Sequence, residues 1–271
     1  MKRFNPFSWL WFLIGAFYFL VPLWGTFVFS LQKERGTLSL SAYQSALTDP
    51  KFLETFVFSN IMAVCTIVAS LVLIIPTAYW VHLRVPKARP LVEFVTLLPF
   101  VIPAIVLVFG LIRTFSRPVA LGPIPLFPAL TETDLGTNIL LVGAYVVLSL
   151  PYMYRSVDAG LRAMDVSTLT EAAQSLGANW VTILIRIVIP NLRSALLSGS
   201  LLTFAIVVGE LTIASFLARP AFGPYLALLG NHKVYEPAAL AIISFLLTWV
   251  AMLVIDIVTA GSRTRTITGA R

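Results

Sequence analysis

Charge is scarce in this chain: Asp, Glu, Lys and Arg together make up 11% of its 271 residues, against 58% hydrophobic residues. So few polar groups cannot wrap a water-soluble globule of this length, which excludes the soluble class and points to a bilayer. Cysteine is almost absent. Cys65 stands alone in an apolar run with no thiol partner or metal-spaced His beside it, so no disulfide is available and a small buried hydrophobe is expected there. The two histidines, His82 and His232, fall in connections on opposite sides of the membrane, which excludes a metal site between them. No GxxxxGK[ST] phosphate loop occurs, and Ser, Asp and His show no nucleophile–base spacing, so neither an ATP cradle nor an enzyme is expected. No internal repeat or low-complexity tract is visible. Residues 1–271 read as a single membrane domain.

The apolar runs define an all-α polytopic membrane protein with six transmembrane helices, at about 9–31, 56–81, 91–112, 138–154, 195–217 and 238–260. The first run follows Lys2 and Arg3, but it is too long for a signal peptide and lacks a small-residue cleavage site, so it is expected to be retained. Pro76 lies inside the second span, where neighbouring helices can tolerate it. Pro99 and Pro103 remove two helical donors from the third span, which should bend there, either as plain packing or as a gating element. Residues 113–137, rich in Pro and Gly, cannot hold a regular helix and are expected to form an outer loop, as are the mixed polar residues 32–55 and residues 218–237 between spans 5 and 6.

The net charge of +7 arises from basic residues at the ends of apolar runs, which is a topology signal and not a nucleic-acid surface. Placing both termini in the cytosol puts 12 of the 19 Lys and Arg inside: residues 2, 3, 84, 87, 89, 155, 162, 186, 193, 263, 265 and 271. Arg113 and Arg117, beside the third span, run against this orientation.

The long cytosolic segment 155–193 between spans 4 and 5 contains EAAQSLGANWVTILIRIVIP, from Glu171 to Pro190. Glu171, Ala172 and Ala173 favour a helix, Gly177 can end it, and Pro190 can open the next one at a first-turn position. The pattern of Glu171, Ala172, Ala173, Gly177, Ile187, Ile189 and Pro190 resembles the EAA loop of binding-protein-dependent ABC importer permeases, with Ile189 where that family usually has Leu. The resemblance implies that this loop is a coupling helix docked on a separate ATPase. Ala172 and Ala173 would then form a small-residue face for close approach, and Glu171 would either pair with a basic partner group or serve as a helix N-terminal charge. It further implies a bacterial inner-membrane location and a pair of ATPase subunits that carry the ATP and Mg. A second permease subunit, identical or homologous, and an external solute-binding protein complete the implied assembly. This chain itself would bind no cofactor.

Glu210 is the acid that calls for explanation, because it lies within the fifth apolar run with no basic residue within two helical turns. With Thr203, Thr212 and Ser215 it either lines a polar substrate path or pairs structurally with another helix. The general pattern is similar to permeases of polyamine importers and of their relatives for ferric iron, phosphonate or sugar. A carboxylate in the path suits a cationic solute, which favours polyamines. A secondary transporter would normally show more spans or an inverted repeat.

Overall fold

The computed structural model describes residues 6–34, 37–121 and 124–260; the basic tail after Ala260 and the N-terminal Lys2 and Arg3 lie outside these. The described chain is mostly helical, with two short antiparallel hairpins, and divides into two compact units, residues 1–53 with 225–250 and residues 54–224 with 251–271.

In the first unit, α1 (Pro6–Ser30) matches the first apolar run. Its aromatic and aliphatic side chains are largely exposed, as lipid-facing groups are. Residues 32–55, which link the first two apolar runs, form the hairpin β1 (Gln32–Glu34) and β2 (Thr37–Leu38), then α2 (Ser41–Thr48) and the start of α3 (Pro50–Leu83). The early start of α3 has a local cause. Asp49 Oδ1 accepts the Lys51 N–H at 2.9 Å, and Pro50 occupies a first-turn position where no donor is needed. Within the same unit, the Ser30 and Tyr43 hydroxyls meet at 2.6 Å, and the Tyr225 hydroxyl donates to Asp49 Oδ2 at 2.8 Å. α12 (Phe222–His232) lies within the connection between the fifth and sixth apolar runs, and α13 (Glu236–Ala260) covers the sixth apolar run.

The second unit is built around α3 and α6 (Asp134–Arg162). Among the described residues three helices, in α1, α3 and α6, are each long and apolar enough to cross a membrane, or five if each of two bent helix pairs is one span. The third apolar run is broken: α4 (Arg89–Val101) meets α5 (Ala104–Phe115) at an angle of 100°. Pro99 stays inside α4, whereas Pro103 forces Ile102 into an extended conformation (φ −86°, ψ 117°) and so makes the bend. Residues 113–137 are also more regular than composition suggests. They finish α5, form the hairpin β3 (Val119–Leu121) and β4 (Ile124–Phe127), and start α6, where the Thr133 hydroxyl accepts the Gly136 N–H. Gly122 and Pro123 lie outside the described residues.

α6 does not stop at residue 154 but runs on to Arg162. After it come α7 (Val166–Ser175), α8 (Trp180–Ile183), a π turn (Leu184–Val188), α9 (Ile189–Asn191) and α10 (Arg193–Val208). The fifth apolar run is therefore not one helix to residue 217: α10 ends before Gly209, and α11 (Thr212–Phe216) restarts it. α10 lies close along α6 because two glycines allow it. A Cβ on Gly160 would stand 2.6 Å from Leu192 Cδ2, and one on Gly199 would stand 2.8 Å from Met153 Sδ. A buried Ser70–Ser149 hydroxyl pair at 2.9 Å ties α3 to α6. Cys65 is exposed, not buried. An apolar run in a membrane protein is satisfied as well by lipid as by protein, so hydrophobicity does not report burial there.

Candidate functional site

Three arrangements of side chains stand out, two of them built on predicted residues. The first is the segment from Glu171 to Pro190. Asp165 caps α7, its Oδ1 accepting the Thr168 N–H at 3.1 Å and its Oδ2 the Thr168 hydroxyl at 2.7 Å, and these bonds hold its carboxyl below the usual Asp range. The helix ends as the sequence implied. Gly177 takes φ +81°, the Ala178 N–H returns to Ala173 O at 3.0 Å, and nothing lies within 4 Å of where a Cβ would be, so conformation and not crowding calls for glycine. Asn179 then caps α8 by accepting the Thr182 N–H at 2.8 Å.

Which faces are free differs from expectation. Glu171 and Ala172 are exposed, Glu171 accepting from the Ser167 hydroxyl at 3.1 Å, but Ala173 is buried against the chain's own core. Val166, Thr170 and Ala173 recur at i, i+4 and i+7 and form the inward stripe of α7, a periodicity that could have flagged Ala173. They pack into a core that includes Ile75, Tyr79, Met153, Val157 and Ile183. Ile187 and Ile189 are half-buried against the same core, and Pro190 opens α9. Pro190 has no N–H to give Arg186 O, and the π turn directly before it absorbs the lost bond. On the free side Leu176 leaves 89% of its surface exposed, beside the exposed Trp180 and Val181.

The second arrangement was not foreseen. Asp158, buried near the end of α6, receives Arg89 Nη2 at 3.1 Å and Arg162 Nη2 at 2.6 Å. Glu93 Oε1 closes the ring, taking Arg89 Nε and Arg162 Nη2 at 3.1 Å each. The ring couples α4 to α6 beside a cleft of about 360 Å³ lined by Thr96, Tyr154 and Arg155. The i,i+4 spacing of Asp158 and Arg162 was readable in the sequence, while Arg89, 69 residues away, was not.

The third is Glu210. It occupies the break between α10 and α11 and caps the second helix. Ile213 N–H donates to Oε1 at 2.9 Å and Oε2 at 3.0 Å, Ala214 N–H to Oε2 at 3.2 Å, and the buried Tyr145 hydroxyl to Oε2 at 3.3 Å. No salt bridge forms at Glu210 among the described residues; backbone dipoles and one hydroxyl hold it. Gly223 lies against the break, where a Cβ on it would fall 2.3 Å from Glu210 O. Of the hydroxyls grouped with it, Thr203 is fully buried with its hydroxyl given to Gly199 O, so it presents no face to a passing solute. Ser215 is exposed and donates to Leu211 O, and Thr212 is half-buried.

Comparisons with known proteins place the whole chain. Residues 74–266 match the family described as binding-protein-dependent transport system inner membrane component. The chain is 28% identical over 189 residues to the spermidine/putrescine transport system permease protein PotB of Escherichia coli (strain K12). That match covers 68% of this chain and 66% of the relative, just under two thirds of the relative's length. A PotB homolog of Mycoplasma genitalium is 25% identical over 228 residues, covering 82% of this chain and 78% of the relative. A probable molybdenum ABC transporter permease protein of Haloferax volcanii is 27% identical over 201 residues, covering 74% and 69%. Among solved structures, a bacterial ABC transporter involved in the import of the acidic polysaccharide alginate superposes with a TM-score of 0.71 at 14% identity, over 94% of both chains, which shows a shared fold.

Proposed function

The chain belongs to the binding-protein-dependent transport system inner membrane components, the permease subunits of type I ABC importers, and from that premise we propose that residues 155–193 dock it onto a separate ATPase. The observation that carries this reading is Leu176. A large apolar side chain 89% exposed at the tip of a polar helix adds nothing to its own fold, and burying it in a partner's groove would contribute about 1.5–3 kcal/mol. Glu171 and Ala172 flank the same free face, and Ala173 anchors the helix from within. ATP and Mg then belong to the partner ATPase pair. Leu176→Asp is expected to leave the permease assembled and to reduce ATPase copurification by about tenfold or more. Undiminished copurification would overturn the docking face.

On this reading six spans, α1, α3, α4 with α5, α6, α10 with α11, and α13, return both termini to the cytosol. A cysteine at Asn179 in a Cys65→Ser background should then resist an impermeant thiol reagent in intact cells, and one at Thr131 should react. Reversed labelling would invert the topology.

The chain would form half of a translocation path, with a second permease as the other half and an external solute-binding protein delivering the solute. Glu210, with Thr212 and Ser215, would stand on that path and favour a cationic solute of the polyamine class, the class named for PotB. A second reading, an oxyanion solute, is favoured by the resemblance to the molybdenum permease. Uptake of labelled spermidine, putrescine and molybdate by vesicles carrying the complete assembly separates the two readings, and uptake of molybdate alone would remove the cationic one.

A further inference from the structure

The side chain that fixes α7 to the rest of the protein most directionally is not in the loop at all. Tyr79, fully buried on α3, places its hydroxyl 3.2 Å from the buried Thr170 hydroxyl on α7. The other inward residues of α7, Val166 and Ala173, are small and apolar. Apolar contact of that kind allows a short helix to slide or roll, whereas a hydrogen bond between two buried hydroxyls fixes distance and angle and leaves both groups unsatisfied if it breaks. α7 is therefore held in register with α3.

α3 is one continuous helix of 34 residues, and its far end is held in the same way. The buried Ser59 Oγ accepts the Phe222 N–H at 2.8 Å, and the rings of Phe56 and Phe222 meet edge to face at 5.6 Å. Phe222 immediately precedes Gly223, the residue whose missing side chain lets the backbone there lie against the Glu210 carbonyl. From Tyr79 to Ser59 is 20 residues, about 30 Å of helix, which is the thickness of a bilayer's hydrocarbon core.

We propose that α3 is a strut that transmits displacement of the coupling helix to the break at Glu210, pinned at one end by Tyr79–Thr170 and at the other by Ser59–Phe222. The proposal rests on the docking reading above and adds the route by which docking is felt across the membrane. Tyr79, Thr170 and Ser59 are positioning residues and touch no solute. A contiguous set of contacts is not by itself evidence of coupling, so the test must read motion at one end when the other is driven.

A single cysteine at Leu211, which is exposed beside Glu210, serves as the reporter in a Cys65→Ser chain within the complete importer. Its rate of reaction with a maleimide is measured with and without ATP and vanadate. The rate is expected to change about fivefold or more on nucleotide trapping, as a coupling free energy of ordinary size would produce. Tyr79→Phe with Thr170→Val removes both hydroxyls together, a replacement that is nearly neutral for packing. It should leave ATPase copurification and the melting temperature of the complex unchanged while abolishing most of the nucleotide-dependent change. Should that pair fail to assemble, Tyr79→Phe alone retains the Thr170 hydroxyl and gives the same reading. Ser59→Ala should blunt the response too. A reporter that ignores nucleotide in the parent chain overturns the strut, as does a full response in either variant. The docking reading fails separately, by Leu176→Asp retaining its ATPase.

Discussion

Two carboxylates, one on a helix and one at a helix break, are held in opposite ways. Asp158 is matched by charge: two guanidiniums reach it, and those same guanidiniums also hold Glu93. Glu210 is matched by dipoles: two backbone N–H groups at the start of α11 and the Tyr145 hydroxyl, with no salt bridge among the described residues. The charge-matched site shares its burden among four ionised side chains that reach solvent in part, so it can lose a member and rearrange. The dipole-matched site cannot. Its donors are fixed in backbone, and the carboxylate is also the reason the chain can break and restart a helix inside an apolar run.

The largest effect should therefore come from Glu210→Ala, which removes a helix cap and leaves the buried Tyr145 hydroxyl without its acceptor, a loss of about 2–4 kcal/mol. Assembled complex in the membrane and its thermal unfolding should both fall. Glu210→Gln keeps one acceptor oxygen and the shape of the side chain, so it should preserve most of the assembled complex. What it deletes is charge, and a cation on the path would feel that. A lowered transport rate per assembled complex would keep Glu210 on the solute route, and an unaltered rate would leave it a structural cap alone.

Asp158→Asn comes next. Arg89 and Arg162 keep Glu93 and are about 30% and 52% exposed, so solvent screens what remains and the cost should be about 1–2 kcal/mol. A measured loss larger than that of Glu210→Ala would reverse the comparison. Asp158→Asn combined with Glu93→Gln should cost more than the sum of the two single changes, since the second removes the refuge of the first.

How far these sites were legible follows from the range of the interactions that make them. The turn at Gly177 is local: a helix-favouring run and a glycine at the left-handed position lie within seven residues, so spacing revealed it, but the Asn179 cap that restarts the chain at Trp180, ten residues before Pro190, was not read. The break at Glu210 is set by Tyr145, 65 residues away, and by the approach of Gly223, and an apolar run gave no sign of either. The Gly209–Glu210 pair could have suggested a helix stop and a cap, but hydropathy outvoted it. Proline spacing foretold a bend in the third span, and the stereochemistry of the residue before Pro103, not the count of prolines, placed it. The exposure of Cys65 and the burial of Ala173 share a cause. In lipid, polarity does not sort inside from outside, and on α7 the face had to be read from the period of Val166, Thr170 and Ala173.

Asp165 supplies the control for the comparison, because it repeats the chemistry of Glu210 in water. It too caps a helix with its carboxylate, through the Thr168 hydroxyl and N–H, and it is exposed. Those bonds lower its pKa in the folded protein, so its contribution is complete above the ordinary Asp value and is lost as pH falls through the lowered folded value. Solvent competes for the same carboxylate, and Asn is itself a good cap, so Asp165→Asn should be the mildest of the three changes. Amide exchange in the first turn of α7 should quicken slightly at neutral pH in the variant, and the difference from the parent should vanish in acid, where the parent carboxyl is protonated. If exchange instead rises as much as it does at Ile213 and Ala214 in Glu210→Ala, burial is not what separates the two caps, and the contrast between charge-matched and dipole-matched sites would have to rest on the helices they serve.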